Sequence, residues 1–256
     1  MTATRYVTPL REGGSLPALI EADDDGLYVL KFRGAGQGPR ALIAELVAGE
    51  LGRLLGLPVP EIVFVDLDPV LGRNEPDQEI QALVTASAGL NLALDYLPGS
   101  LGFDPLATPQ PRARLASEIV WFDAFITNVD RTFRNPNMIC WHRELYLIDH
   151  GAALYFHHSW HDPVGQSRSP FSRVSDHVLL PLAADLPGAD TALRSRLTTE
   201  RILPILALIP DSWLQGVPGC SEPGAVREAY ARYFERRVDA ADVFVEEAIR
   251  ARDQLA

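Results

Sequence analysis

Lys31 is the only lysine in the chain; the other 22 of its 23 basic residues are arginines. Arginine keeps a surface soluble as well as lysine does. A compact ammonium on a flexible stem, however, can reach two neighbouring phosphates where a planar guanidinium fork fits poorly. Two aspartates stand downstream in patterned surroundings. In Asn128-Val129-Asp130-Arg131-Thr132-Phe133-Arg134-Asn135 an aspartate is followed, after four intervening residues, by an asparagine. Nineteen residues after Asp130, the apolar run Leu145-Tyr146-Leu147-Ile148 ends in Asp149-His150-Gly151. A cation for phosphates, a carboxylate to orient a hydroxyl and oxygen ligands for a metal ion are the parts that phosphoryl transfer from ATP requires.

Each part has a plainer reading. Asp130 could cap a loop and Asp149 could end a strand in a turn. The aspartate-to-asparagine spacing alone is weak, because any loop rich in these residues produces it. What joins them is order, flanking structure and separation, all consistent with one mechanism.

The elements that must position these residues are legible in outline. Residues 6–10, 17–21 and 27–32 read as strands, broken at Gly13-Gly14-Ser15 and at Asp23-Asp24-Asp25-Gly26, with Lys31 near the end of the third. Gly13-Gly14-Ser15 stands where a turn could cover phosphates with backbone N–H groups, and reads equally well as an ordinary hairpin turn. After residues 34–39 comes a helix with Ile43, Val47, Leu51 and Leu54 on one face. Glu45 shares another face with Ala41, Gly49 and Gly52, small residues that permit close approach to a sheet. Gly56 before Leu57-Pro58-Val59-Pro60 is a stop signal.

Residues 62–65 and 80–85 are expected to be two further strands. Residues 113–127 form a helix with Leu115, Ile119, Phe122 and Ile126 along one side. A polar loop, 128–137, leads to short strands at 138–140 and 145–148. A loop-rich stretch, 151–176, precedes further helices, the last carrying Tyr230, Phe234, Val238, Ala241, Val245 and Ala248 at helical spacing. This divides the chain into a sheet lobe, residues 1–87, that binds nucleotide, and a helical lobe, 88–256, that carries the catalytic and metal-binding loops.

Composition narrows the function. At 256 residues, 47% apolar and 22% charged, the chain has the balance of a compact globular protein. The net charge of -11 opposes a broad grip on nucleic acid, which relies on basic residues displacing counterions. No apolar run approaches the roughly 20 residues of a membrane-spanning helix, and the start lacks a secretory pattern, so a cytoplasmic location is expected. Two cysteines, Cys140 and Cys220, supply neither a disulfide framework nor a zinc cluster. His157, His158 and His161 could begin a metal site, yet no closely spaced cysteine or acidic set completes it.

Taken together, the chain resembles the HipA-like kinases, which belong with the phosphoinositide-kinase side of the wider protein-kinase-like fold. The resemblance is carried by Gly13-Gly14-Ser15, Tyr28-Val29-Leu30-Lys31, Glu45 eleven residues before Gly56-Leu57-Pro58-Val59, the 128–137 loop, and Ile148-Asp149-His150-Gly151. It implies a two-lobed α+β fold, with an antiparallel-sheet N-lobe and a mostly helical C-lobe, and an ATP-dependent phosphotransferase using Mg²⁺. On this resemblance Lys31, paired with Glu45, and Gly13, Gly14 and Ser15 bind the nucleotide. Asp130 meets the acceptor hydroxyl. Asp149 and an asparagine ligate metal. Asn135 has the usual spacing from Asp130, and Asn137 directly precedes the strand as the family asparagine does; the reading favours Asn135 and keeps both.

Asp130-Arg131 resembles the aspartate-arginine pair of phosphoinositide kinases, and Thr132 stands where HipA proteins more often have histidine. The implied acceptor is a protein Ser or Thr, with a small molecule or a lipid headgroup as the alternative. A pseudokinase scaffold and an ATP-using nucleotidyltransferase are the readings from other classes.

Overall fold

The computed structural model describes residues 1–10, 16–36, 38–220 and 222–255. Strands β1 (Ala3–Pro9), β2 (Ala18–Ala22), β3 (Leu27–Lys31), β4 (Ile62–Leu67) and β5 (Gly89–Asp95) form an antiparallel sheet in the order β1-β2-β3-β5-β4. Alternation along β2 and β3 buries Ala18, Ile20, Ala22, Tyr28 and Leu30. Ile80 and Val84 join the same cluster from a helix.

That helix corrects the expected strand at 80–85. Residues Gln78–Ala86 form α2, whose first turn is capped by the Asp77 carboxylate accepting from Glu79 N at 3.0 Å. Ile80 and Val84, four apart, lie on one helical face and bury there. The missing strand is β5, Gly-Leu-Asn-Leu-Ala-Leu-Asp, whose leucines and alanine favour helix when taken alone. It is a strand because β3 and β4 pair with it on both sides, and such pairing outweighs intrinsic preference. The sheet therefore extends to Asp95, beyond the expected 87/88 boundary.

Helix α1 (Pro39–Leu55) crosses the sheet. A side chain at Gly49 would meet Ile62 Cδ1 of β4 at 2.3 Å, so the Ile62 side chain would have to turn aside for anything larger than glycine. The helix ends at Gly56, left-handed with φ 81°, as the sequence indicates. Beneath α1 lies α3 (Ala113–Phe125), buried from Ala116 to Phe125 except Glu118. Its Trp121 stacks on Phe125 at 5.5 Å.

A second sheet holds β6 (Leu101–Gly102), β7 (Met138–Trp141) and β8 (Glu144–Leu147). Beyond it the helices are α4 (Pro163–Gln166), α5 (Leu186–Arg194), α6 (Thr199–Ala207), α7 (Pro223–Asp239) and α8 (Ala241–Asp253). The periodic run from Tyr230 to Ala248 thus spans two helices, divided at Ala240. An antiparallel sheet with one crossing helix, followed by a mostly helical part, is the expected α+β arrangement. Among the described residues no helix is long and apolar enough to cross a membrane.

Candidate active site

Lys31 is the last residue of β3, and the turn after it is held from behind. Asn91, fully buried on β5, accepts from Arg33 N at 2.8 Å and donates to the carbonyls of Ser87 and Gly89 at 2.7 Å. Ser87 Oγ accepts from Gly34 N at 3.0 Å. With its backbone fixed, Lys31 extends Nζ to 2.6 Å from Asp149 Oδ1 and 3.6 Å from Glu45 Oε2. The first contact joins residues 118 apart in the chain.

Glu45 is 1% exposed, and its other oxygen lies 3.4 Å from His150 Nδ1. The middle residue of the Asp-His-Gly turn is therefore tucked under α1, its ring edge-on to Phe122. Burial pushes the Glu45 carboxyl up, but Lys31 and His150 outweigh it and bring its pKa down to about 2. Burial likewise pulls the Lys31 ammonium down, and the two carboxylates more than reverse this, leaving it above the ordinary lysine value. The glutamate is thus an anion held between two partners, and the lysine stays charged although its side chain is only 11% exposed.

A hairpin brings the remaining groups together. β7 and β8 are joined by His142-Arg143, both at positive φ (49° and 69°), as a two-residue turn matched to strand twist requires. Asn137 stands just before β7 and Asp149 just after β8, so Ile148 N donates to Asn137 O at 3.0 Å. Both Asn137 (φ 48°) and Asp149 (φ 56°) are left-handed, a conformation these two residue types tolerate better than most. Asn135 Nδ2 donates to Asp130 Oδ2 at 2.8 Å; Asn137 Nδ2 lies 3.4 Å from the same oxygen and 3.5 Å from Asp130 O. Asn135 is exposed and Asn137 is buried.

Asp123 and His177, which the sequence reading did not single out, fix this loop through Arg131 and Asn128. Asp123, on the buried face of α3, receives Arg131 Nε at 2.5 Å and His177 Nε2 at 2.9 Å on one oxygen, and Asn128 Nδ2 at 3.0 Å on the other. His177 Nδ1 accepts from Leu179 N, so its Nε2 carries the proton. Arg131 Nη1 also donates to Asn137 O, with Ile148 O at 3.5 Å. Burial raises the Asp123 carboxyl, and Arg131 and His177 overcome that and hold it well below the usual carboxylate range. A carboxylate inside an otherwise apolar stretch of helix, Trp-Phe-Asp-Ala-Phe, was the available signal, since an ionised group buried there must have a partner.

Lys31, Glu45, Asp130 and Asp149 line one cavity of about 240 Å³, with Phe32, Ala41, Leu42 and Gly151 among its walls. Asn135 and Asn137 join it through Asp130. Gly13, Gly14 and Ser15 lie outside the described residues. The histidines have separate partners: His157 bonds Tyr230 OH and meets the His158 ring edge-on at 4.5 Å, His177 bonds Asp123 and His150 faces Glu45.

The sheet, the crossing helix and the helical part carrying a carboxylate loop define a protein-kinase-like fold, and solved structures agree. The chain is similar to a Helicobacter pylori proinflammatory kinase, CtkA (15% identity, 98% of each chain covered, TM-score 0.57). It is also similar to the Golgi casein kinase with Mn/ADP bound (13% identity, 96% of this chain and 74% of that one, TM-score 0.58). No curated protein matches it in sequence. The family is given by a model of HipA-like kinases, which matches residues 4–232: the chain belongs to the HipA-like kinase family and is a kinase.

Proposed function

We propose that this kinase transfers the γ-phosphoryl group of ATP to a protein serine or threonine hydroxyl, with Lys31, Glu45, Asp130, Asp149 and an asparagine as its working residues. The observation that carries the reading is the convergence of those four charged side chains on one cavity from four separate segments of the chain. Coincidental loop caps and surface charges have no reason to meet.

The donor set fits a magnesium nucleotide. Asp149, with a 38% exposed side chain, offers a carboxylate to a hard cation, and the loop asparagines offer amide oxygens. Two features favour Asn137 as the metal ligand over the Asn135 that spacing favours. Its main chain is bonded beside Asp149, and Asn135 already holds Asp130 more closely. Bound Mg-ATP would supply the phosphoryl group and the metal that offsets its charge. Lys31 would bind phosphate oxygens, with Glu45 keeping the ammonium in place. Asp130 would orient the acceptor hydroxyl and take its proton as the hydroxyl oxygen bonds to the γ-phosphorus and ADP departs.

A protein acceptor is supported by the family and by the casein kinase among its structural relatives. Asp130→Asn tests the mechanism. Transfer to a Ser or Thr substrate should fall by about 10²- to 10⁴-fold, while the thermal stabilisation given by Mg-ATP persists. If the variant transfers phosphate as fast as the parent, Asp130 is only a loop cap and the mechanism is wrong at its centre.

A further inference from the structure

A second cavity, of about 340 Å³, opens on the catalytic loop and shares no lining residue with the Lys31 cavity. It touches Val129, while the Lys31 cavity touches Asp130, so the two meet the loop at neighbouring residues about 3.8 Å apart. A short extended stretch of an acceptor chain, rising about 3.3 Å per residue, would join cavities that flank consecutive loop residues.

Its walls are held in place. Tyr155 N donates to Thr127 Oγ1 at 3.2 Å, and the Phe156 ring stacks on Tyr233 with centroids 3.7 Å apart. The buried Arg237 guanidinium ties the carbonyls of Ser167 and Ser169 to those of Ala124 and Phe125 at the end of α3. Thr127 (φ 53°) and Phe171 (φ 56°) are both left-handed, conformations kept only where surrounding contacts impose them.

The lining is apolar at Val129, Phe156 and Phe171 and polar but uncharged at Thr127, Gln166, Ser169, Ser172 and Tyr233. Its one cation, Arg173, is matched by Asp176 at 3.2 Å, so the cavity does not call for a charged occupant. Large aromatic side chains also stand in the open on the two segments beside it. Tyr155, at the cavity, is 61% exposed, and Phe133, three residues past Asp130, is 58% exposed. Exposed aromatics of this kind are enriched where proteins are gripped, and they extend the contact beyond what a small free alcohol could use.

We propose that this cavity receives an uncharged apolar or aromatic side chain of the protein acceptor, one or two residues from the phosphorylated hydroxyl. The inference rests on the protein-kinase reading and names what sets specificity within it.

The test is phosphorylation of a dephosphorylated, proteome-derived peptide library with Mg-ATP, the sites mapped by mass spectrometry, for parent, Ser172→Trp and Tyr155→Ala. Ser172 is exposed at the cavity, so an indole there fills the space without entering the core. The parent should select apolar or aromatic residues within two positions of the acceptor. Ser172→Trp should erase that preference and raise KM for a preferred peptide roughly tenfold or more, with the Mg-ATP thermal shift and KM for ATP unchanged. Tyr155→Ala should act in the same direction and less strongly. Efficient transfer to peptides with no such preference, or a preference untouched in both variants, overturns the cavity assignment and leaves the protein-kinase reading standing. Phosphorylation of small alcohols with none of any peptide overturns both.

Discussion

Asp123→Ala should cost this protein more stability than truncation of any surface charge. The carboxylate and Arg131 are both completely buried, 2.5 Å apart, and the same carboxylate serves His177 and Asn128. Its removal leaves a guanidinium in the core without a counter-charge, a change worth about 3–5 kcal/mol. For a chain of this length ~1 kcal/mol corresponds to ~2–4 °C in melting temperature, so a drop of about 6–20 °C is expected by calorimetry or thermal fluorescence. The folded state holds the Asp123 carboxyl below its ordinary value of 3.8. Its contribution is therefore complete above that pH and is lost on acidification towards the depressed folded value. The gap between parent and variant should stay full near neutrality and narrow below about pH 4.

Replacing both partners, Asp123→Leu with Arg131→Met, should recover part of the melting temperature, because no charge is then stranded although His177 Nε2 and Asn128 Nδ2 lose their acceptor. Transfer should remain low in the double variant, since Arg131 also holds Asn137 O beside the strand that carries Asp149. A fall of less than about 2 °C in Asp123→Ala would refute the reasoning, because a stranded buried charge cannot be that cheap.

Lys31→Met should lose most ATP turnover while remaining folded, and undiminished stabilisation by Mg-ATP in thermal shift would remove Lys31 from the phosphates. Asp149→Asn should weaken the magnesium dependence of ATP binding, since a neutral amide is the poorer ligand; equal dependence in calorimetric titrations of parent and variant would contradict the assignment. Asn137→Ala should show a transfer defect partly relieved by excess magnesium, whereas Asn135→Ala should show a metal-independent one from a less restrained Asp130. The reverse pattern in magnesium titrations of the rate would return the metal to Asn135.

Local signals sufficed where an element combines short-range hydrogen bonding with a long enough periodic run or a clear stop signal. Helix α1 was legible from Ile43, Val47 and Leu51 to its stop at Gly56, and β7 and β8 from two short apolar runs, their pairing into a hairpin being left to the structure. The one lysine, the Asp130 loop and the Asp149 turn could be singled out for the same reason, because each is a contiguous motif. The strand at 89–95 could not. Its leucines and alanine carry no strand preference, and its identity comes from partners that begin at residues 27 and 62. The α2 helix was misread because Ile80, Val84 and their neighbours are a short apolar run, whose period is too brief to separate helix from strand.

The sequence alone therefore determined which side chains were chemically suited to phosphoryl transfer, since that depends on residue type and near spacing. Only the tertiary structure brought Lys31 within 2.6 Å of Asp149 and seated Glu45 between Lys31 and His150. It alone paired Asp123 with Arg131 and His177. A buried ion pair leaves no periodic trace in the chain: its stability depends on desolvation and on partners that meet only after the chain has folded.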